Sequence, residues 1–222
     1  MSEGVQTRAD ATIEVVRLGR VRYADALAMQ RALVDERAAG AIPDRLLLVE
    51  HEPVITVGRG AGAEIPRVAG IETVLVERGG LATYHGPGQL VAYPIVRLER
   101  RDLRAHLRAL EGGLIAALAR FGLDASRRSG ATGVWVRERK IASIGVAVRK
   151  WVAFHGVALN VSTDLEGFAG FEPCGFAPGV MTTVERELGR SVDAAAVEDA
   201  VAAEVAAALG RRPVARPASS AT

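Results

Sequence analysis

Apolar and polar residues along this chain follow two periods, and the switches between them mark out its elements. From Tyr23 to Ala39 the apolar positions Ala26, Leu27, Leu33 and Val34 recur at helical spacing, and Gly40 is placed to end that helix. Leu46 to Val57 reads as strand interrupted at Pro53, with Val54, Ile55 and Val57 as buried candidates. Thr73 to Glu77 and Leu90 to Val96 are short β-rich runs on either side of a glycine-rich loop. Asp102 caps a predicted helix whose face is Leu103, Leu107, Leu110, Leu114, Leu118 and Phe121, and Gly122 closes it. Gly133 to Val161 holds three β segments, GVWV, KIASIGVAV and WVAFHGVALNV. The tight polar turns Arg137-Glu138-Arg139 and Arg149-Lys150 between them predict an antiparallel meander. A last helix, about Val192 to Leu209, carries Val197, Val201, Val205 and Leu209 at four-residue steps. This order predicts an α/β fold of the α+β type: a mixed, largely antiparallel sheet flanked by helices, not a doubly wound parallel one.

Composition narrows the setting. With 222 residues the chain is long enough to bury a core as one unit, and no linker or internal repeat divides it. The expected organisation is a flexible leader over 1–10, a single domain over 11–210, and a flexible tail over 211–222 (RRPVARPASSAT), with both tails dispensable. Hydrophobic residues make up 49%, a figure that leans on alanine and overstates the supply of large core side chains. With 28 basic and 26 acidic residues the formal net charge is +2, too small an excess to argue for nucleic acid, though it leaves room for a local basic patch facing an acidic protein. One cysteine excludes an intramolecular disulfide and suits a reducing compartment. Met1 to Asp10 carries no apolar stretch of a secretory signal, and no run approaches the roughly 20 apolar residues of a membrane span. A soluble, cytoplasmic protein is expected.

Three places carry chemistry. The loop Arg78-Gly79-Gly80-Leu81-Ala82-Thr83-Tyr84-His85-Gly86-Pro87-Gly88-Gln89 packs four glycines, two hydroxyls, an imidazole and an arginine into twelve residues. A plain connection between strands needs no such groups, whereas glycine lets backbone approach a ligand closely. Cys174 lies in Phe171-Glu172-Pro173-Cys174-Gly175-Phe176, a turn context that presents the thiol on a loop, with Phe168, Phe171 and Phe176 as apolar surroundings. A lone cysteine is commonly just a small core residue. To act as a nucleophile it needs a neighbouring cation, since an unperturbed thiol titrates at about 8.5. Lys140, opening the apolar strand Ile141 to Val146, is the best candidate; its ordinary reading is a lysine guarding a strand edge. Arg139 beside it is also cationic, but an arginine cannot serve as a base at neutral pH.

Weaker patterns fall away. Gly58-Arg59-Gly60-Ala61-Gly62-Ala63 fits a loose dinucleotide fingerprint, with Glu77 near the acidic offset, yet Pro66 and Gly70 break the helix it would have to open. His51-Glu52 starts a zinc-protease motif that Ile55 fails to complete, and no Walker-type phosphate loop occurs.

Taken together, RGGLATYHGPGQLVAYP (Arg78 to Pro94), ATGVWVRERKIASIGVAVRKWVAFHGVALNV (Ala131 to Val161) and PCG (Pro173 to Gly175) resemble the lipoyl(octanoyl) transferase family, in its order and spacing, from about Leu46 to Gly179. The resemblance implies the fold of biotin and lipoate protein ligase catalytic domains and an acyl transfer in two steps. Cys174 would take the octanoyl group from octanoyl-acyl carrier protein, where phosphopantetheine carries it, and a lysine of a lipoyl domain would then receive it. Lipoyl domains of 2-oxoacid dehydrogenase complexes and the glycine cleavage H protein would be the acceptors. Lys140 matches the family lysine that supports the thiolate and serves as acid or base. Arg78, Gly79, Gly80, Leu81, Ala82, Thr83, Tyr84 and His85 match a first substrate-binding segment; Ser143, Ile144 and Gly145 a second; Gly156, Val157 and Ala158 a third. No ATP, metal or other cofactor is implied, nor a nucleic-acid or membrane partner.

The chemistry is consistent. A thiolate attacks a thioester readily and leaves readily from an amine adduct. A closed apolar tunnel would select the chain, because each buried methylene contributes roughly 0.8 kcal/mol. The main rival is an ATP-dependent ligase of the same fold, which needs no cysteine. In lipoate ligases the corresponding loop has Asp after the histidine and Asn at its end, where this chain has Gly86 and Gln89. A second rival is a non-catalytic acyl-binding module, which would have no use for both Lys140 and Cys174.

Overall fold

In the computed structural model, which describes residues 11–61 and 65–215, strands and helices follow in the order β1 (Thr12–Val21), α1 (Tyr23–Ala38), β2 (Asp44–His51), β3 (Val54–Val57), β4 (Glu72–Leu75), β5 (Ala82–His85), β6 (Gln89–Arg97) and α2 (Leu103–Ala119). The chain continues through β7 (Ala125–Arg128), β8 (Ala131–Val136), β9 (Arg139–Arg149), β10 (Val152–Asn160), α3 (Val184–Leu188), α4 (Ala194–Ala208) and β11 (Arg212–Ala215). The main sheet runs β11-β1-β2-β6-β10-β9-β8-β7, and a small sheet runs β4-β3-β5. Pairing in the main sheet is parallel where β1 meets β11 and β2, and antiparallel from β2 onward. The mixed, largely antiparallel sheet expected from the pattern is therefore present.

Helices cover both faces, which is why the central strands are apolar throughout. On β6, Leu90, Ala92 and Val96 point into the core shared with α2 and α4, while Val91, Tyr93 and Ile95 point toward α1. α1 buries Tyr23, Ala26, Leu27, Gln30, Leu33 and Val34, a single stripe at three- and four-residue steps. α2 starts where expected, the Asp102 carboxylate accepting from the Ala105 N–H at 2.9 Å. Its buried face is Leu110, Leu114 and Leu118, while Leu103, expected on that face, is exposed in the first turn. No helix among the described residues is long and apolar enough to cross a membrane.

Several elements differ from the sequence expectation. β1, β5, β7, β11 and α3 are not marked by its periodicity, since each is short, at an edge, or polar on one face. The β9–β10 turn falls on Lys150 and Trp151, both at positive φ (51° and 59°), one residue later than the polar pair suggests. The expected tail is also shorter: Arg211 pairs with buried Asp44 at 2.8 Å, and Arg212–Ala215 adds a parallel strand to β1. The expected leader over 1–10 and the rest of the tail, 216–222, lie outside the described residues.

Ending the chain at Gly210 therefore removes an edge strand and one of the two arginines on Asp44, the other being Arg37 at 2.6 Å. We expect a loss of about 1–3 kcal/mol, read as a lower thermal midpoint, whereas a chain ending at residue 215 should keep the full-length value.

Candidate active site

Two of the sequence-predicted segments face each other across neighbouring strands. Ser143, Ile144 and Gly145 of β9 pair in register with Ala158, Val157 and Gly156 of β10 and form the floor of a cavity of about 220 Å³. Gly145 is required there: a Cβ would come within 2.9 Å of Arg78 Cδ, which lies over it. The Gly79 N–H donates to the Val146 carbonyl at 2.9 Å and clips the glycine-rich loop onto β9.

Cys174 enters this cavity from a 3-10 turn, Pro173–Gly175, with φ 55° and ψ 25°. A left-handed cysteine is uncommon and is tolerated only where surrounding structure imposes it. Its half-buried Sγ lies 3.6 Å from Ser143 Oγ. Lys140 lines the same cavity. It is not an edge lysine, since β9 lies between β8 and β10 and the side chain is 1% exposed. Its Nζ sits 5.7 Å from the Trp135 ring centre and 5.4 Å from that of Phe176, with no carboxylate partner among the described residues. Neighbouring Arg139, by contrast, is held by Glu187 at 2.8 Å, which removes it as a partner for the thiol.

Room for the lysine comes from Gly133, at φ 136°, where a Cβ would meet Ala142 O at 2.6 Å and Lys140 Cε at 2.8 Å. The β8–β9 register shifts beside it, and the Gly133 N–H donates to buried Glu111 at 3.2 Å. Glu111 in turn accepts from Arg108 and Arg127, so α2 holds the bulge that aims Lys140. Gly133→Ala is expected to displace the ammonium group and cut turnover at least about tenfold, with a thermal midpoint lowered by the strain.

Arg78 is fixed by its own loop and by β3. Its guanidinium donates to Gly79 O, Leu81 O, Thr56 O and Thr56 Oγ1 at 2.8–3.0 Å, and no carboxylate offsets its charge among the described residues. Burial holds it below its ordinary pKa, and the facing Cys174 pulls it partly back. It is thus a buried cation on the wall that Cys174 shares, a placement not foreseen from the sequence. From Arg78 a chain of hydrogen bonds crosses the site. The Thr56 hydroxyl donates to His85 Nε2 (3.2 Å), His85 Nδ1–H to Gln89 Oε1 (2.7 Å), and the Gln89 amide to Asn160 Oδ1 (2.9 Å). Asn160 then donates to Thr182 O (3.1 Å), and the Thr182 N–H to Lys140 O (3.0 Å). The small sheet is thereby locked to the strand that carries the lysine.

Strand alternation sorts the remaining expected residues. Thr83 and His85 line the cavity with Gly80 and Leu81, whereas Ala82 and Tyr84, between them on β5, point into a separate core with Phe168. Gly79 acts through its backbone and also lies outside the lining. Of the three phenylalanines near the cysteine, only Phe176 reaches the cavity; Phe168 and Phe171 pack against each other on the far side of β5.

Residues 22–206 match the lipoyl protein ligase A/B catalytic domain family. The octanoyltransferase of Rubrobacter xylanophilus is 49% identical over 210 residues, covering 90% of this chain and 95% of that protein. The chain belongs to the octanoyltransferase family. The octanoyltransferase of Syntrophotalea carbinolica is similar at 48% identity, covering 84% of this chain and 89% of its own. Among solved structures, a lipoate-protein ligase A bound with ATP matches with a TM-score of 0.71 at 18% identity, over 93% of this chain and 88% of that one. The biotin protein ligase of Aquifex aeolicus matches at 0.52 and 14% identity, over 88% and 68%. At such identities the likeness is one of fold.

This octanoyltransferase-family site has an inner wall whose residues were not among the site candidates read from the sequence. Tyr23, Tyr93 and His155 line it, and the mouth side adds Gly130 of the β7–β8 turn with Ala131 and Thr132 at the start of β8. Tyr93 is legible only as a core residue of β6, and His155 as an interruption in an apolar strand. Burial pushes His85 down to about 3, and His106 and His155 down to about 4. These imidazoles stay neutral in the fold but take up protons on unfolding below about pH 6.5. Their contribution is present above that pH and drains away as the pH falls toward 4. A thermal midpoint several degrees lower at pH 5 than at pH 7.5 is expected; an unchanged midpoint would contradict it.

Proposed function

We propose that this chain moves an octanoyl group from octanoyl-acyl carrier protein to a lysine of a lipoyl domain through a thioester on Cys174, with Lys140 moving the protons. The observation that carries this reading is the convergence of Cys174 and Lys140 on one cavity, the lysine buried and without a carboxylate partner among the described residues. A thiol, a mobile proton carrier and a fixed cation (Arg78) are the parts that acyl transfer through a thioester needs.

In the first step the Cys174 thiol gives its proton to the amine of Lys140, and the thiolate attacks the carbonyl of the donor thioester. The donor's C–S bond breaks, the new Sγ–C bond forms, and the phosphopantetheine thiolate leaves with the proton from Lys140. In the second step the acceptor amine attacks the Cys174 thioester and its proton passes to Lys140. An amide forms, the Sγ–C bond breaks, and the thiolate faces a protonated lysine again. Neither nucleotide nor metal takes part. The acceptors in this reading are the lipoyl domains of 2-oxoacid dehydrogenase complexes and the glycine cleavage H protein, in a cytoplasmic lipoylation pathway.

The test is intact-protein mass after mixing with octanoyl-acyl carrier protein without ATP, before and after adding an apo lipoyl domain. The expected result is one octanoyl adduct on Cys174 that hydroxylamine cleaves and that disappears onto the domain. Domain modification only with free octanoate and ATP would move the chain to the ligases.

A further inference from the structure

The cavity stops at a definite strand. Paired residues form rows across the main sheet, and the members of a row share a face. One row reads Ser143 (β9), Ala158 (β10), Val91 (β6) and Val49 (β2). The first three line the cavity, whereas Val49, packed behind Val91 in the core under α1, does not. The neighbouring row opens with the Gly145–Gly156 pair. Tyr93 stands at its β6 end and pairs in turn with Leu47, which also lies outside the lining. In both rows the passage crosses β9 and β10 over serine, alanine and glycine, then meets a larger side chain on β6.

That end is closed and held in place. Val91 and Tyr93 are 1% and 3% exposed. The Tyr93 hydroxyl donates to His51 Nε2 at 2.8 Å, and His51 gives its Nδ1–H to Val21 O at 3.0 Å, which keeps the ring from swinging aside. Beside it the β6–β10 pairing lapses over 154–156, where His155 takes φ 57° and its ring stacks on Phe154 with centres 4.8 Å apart. The His155 ring thereby stands edge to face with Tyr93, 6.5 Å away, and closes the corner. The opposite end is open, with Gly130 and Thr132 exposed. Cys174 Sγ lies 3.6 Å from Ser143 Oγ, at the head of the first row. A carrier protein is too large for the cavity and stays on the open side, so an acyl chain on Cys174 runs inward along the rows. From β9 to β6 is two inter-strand steps, about 10 Å, the reach of a medium-length acyl chain.

We propose that Ala158 and Val91 set the length of the acyl chain: Ala158 keeps the passage over β10 open, and Val91 is the stop against which the terminal methyl group rests. This deepens the acyl-enzyme reading and rests on it. Two substitutions then move the limit in opposite directions. Val91→Ala removes two methyl groups from the stop, matching the two methylenes by which decanoyl exceeds octanoyl, and leaves Val49 as the next wall. Ala158→Val, a residue suited to a strand, puts two methyl groups into the passage ahead of the stop, where only a shorter chain seats.

The experiment follows adduct formation on the full chain by intact mass with three acyl carrier protein thioesters: hexanoyl, octanoyl and decanoyl. Rates are compared as ratios within one protein, which makes the reading independent of how much of each variant is folded. The unsubstituted chain should take octanoyl at least about tenfold faster than decanoyl, the factor that two methylenes without room command. Val91→Ala should raise the decanoyl-to-octanoyl ratio at least about tenfold, and Ala158→Val should lower the octanoyl-to-hexanoyl ratio by a similar factor. A change that merely loosened the core would slow all three thioesters alike. A ratio left unmoved in either variant, or both variants shifted toward the same chain length, would overturn the length assignment alone. No adduct from any of the three on the unsubstituted chain would overturn the acyl-enzyme reading and the length assignment with it.

Discussion

Cys174→Ser is expected to lower octanoyl transfer at least about a thousandfold and to abolish the adduct that hydroxylamine cleaves. A serine keeps the size and the 3-10 turn, so folding should be unaffected and the thermal midpoint unchanged. What it lacks is a thiol's readiness, greater than a hydroxyl's, to attack as the anion and to leave from a tetrahedral adduct with an amine. The surrounding charges cannot compensate. Arg78 is fixed by carbonyl groups of its own loop and Thr56, and cannot accept a proton. Lys140 could deprotonate a serine only at a much larger cost than a thiol. Turnover of the serine variant within tenfold of the unsubstituted chain would show that the acyl group passes directly from donor to acceptor.

Lys140→Met should be the second most damaging change, with a loss of about 10²–10⁴, the range of a positioned acid–base group. Methionine matches the unbranched stem that passes Gly133 and ends beside Trp135 and Phe176, so the packing survives while the amine and its proton are lost. The same variant separates the two cations. If Lys140 supports the thiolate, iodoacetamide alkylation of Cys174 at pH 7 slows along with transfer. If Arg78 supplies that support alone, alkylation keeps its rate and only transfer falls, which would confine Lys140 to proton movement. Transfer at the unsubstituted rate would remove it from the mechanism.

Much of the fold is legible in the chain because hydrophobic periodicity is a local property. The α1 stripe, the Asp102 cap and the meander from Gly133 to Val161 each follow from residues within a few positions of one another. Elements that depend on distant partners are not legible in that way. β11 is a run of Arg, Pro, Val and Ala that becomes a strand because β1 offers an open edge and Asp44 a buried carboxylate. β5 lies hidden in a loop because its alternating faces meet two different cores.

The site divides along the same line. Cys174 in its Pro-Cys-Gly turn, Lys140 at the head of an apolar strand, and the polar glycine-rich loop were determined by the sequence itself, since reactive groups in turn and strand contexts are local features. Only the tertiary structure decided that they share a cavity, that Arg78 is a second buried cation on its wall, and that Arg139 is spent on Glu187. It alone decided that His155 faces inward, because a single positive φ reverses the alternation from which a strand's faces are read. The physical reason is that a residue's type sets what chemistry it can do, while burial, partners and direction come from segments far apart in the chain, which periodicity does not record.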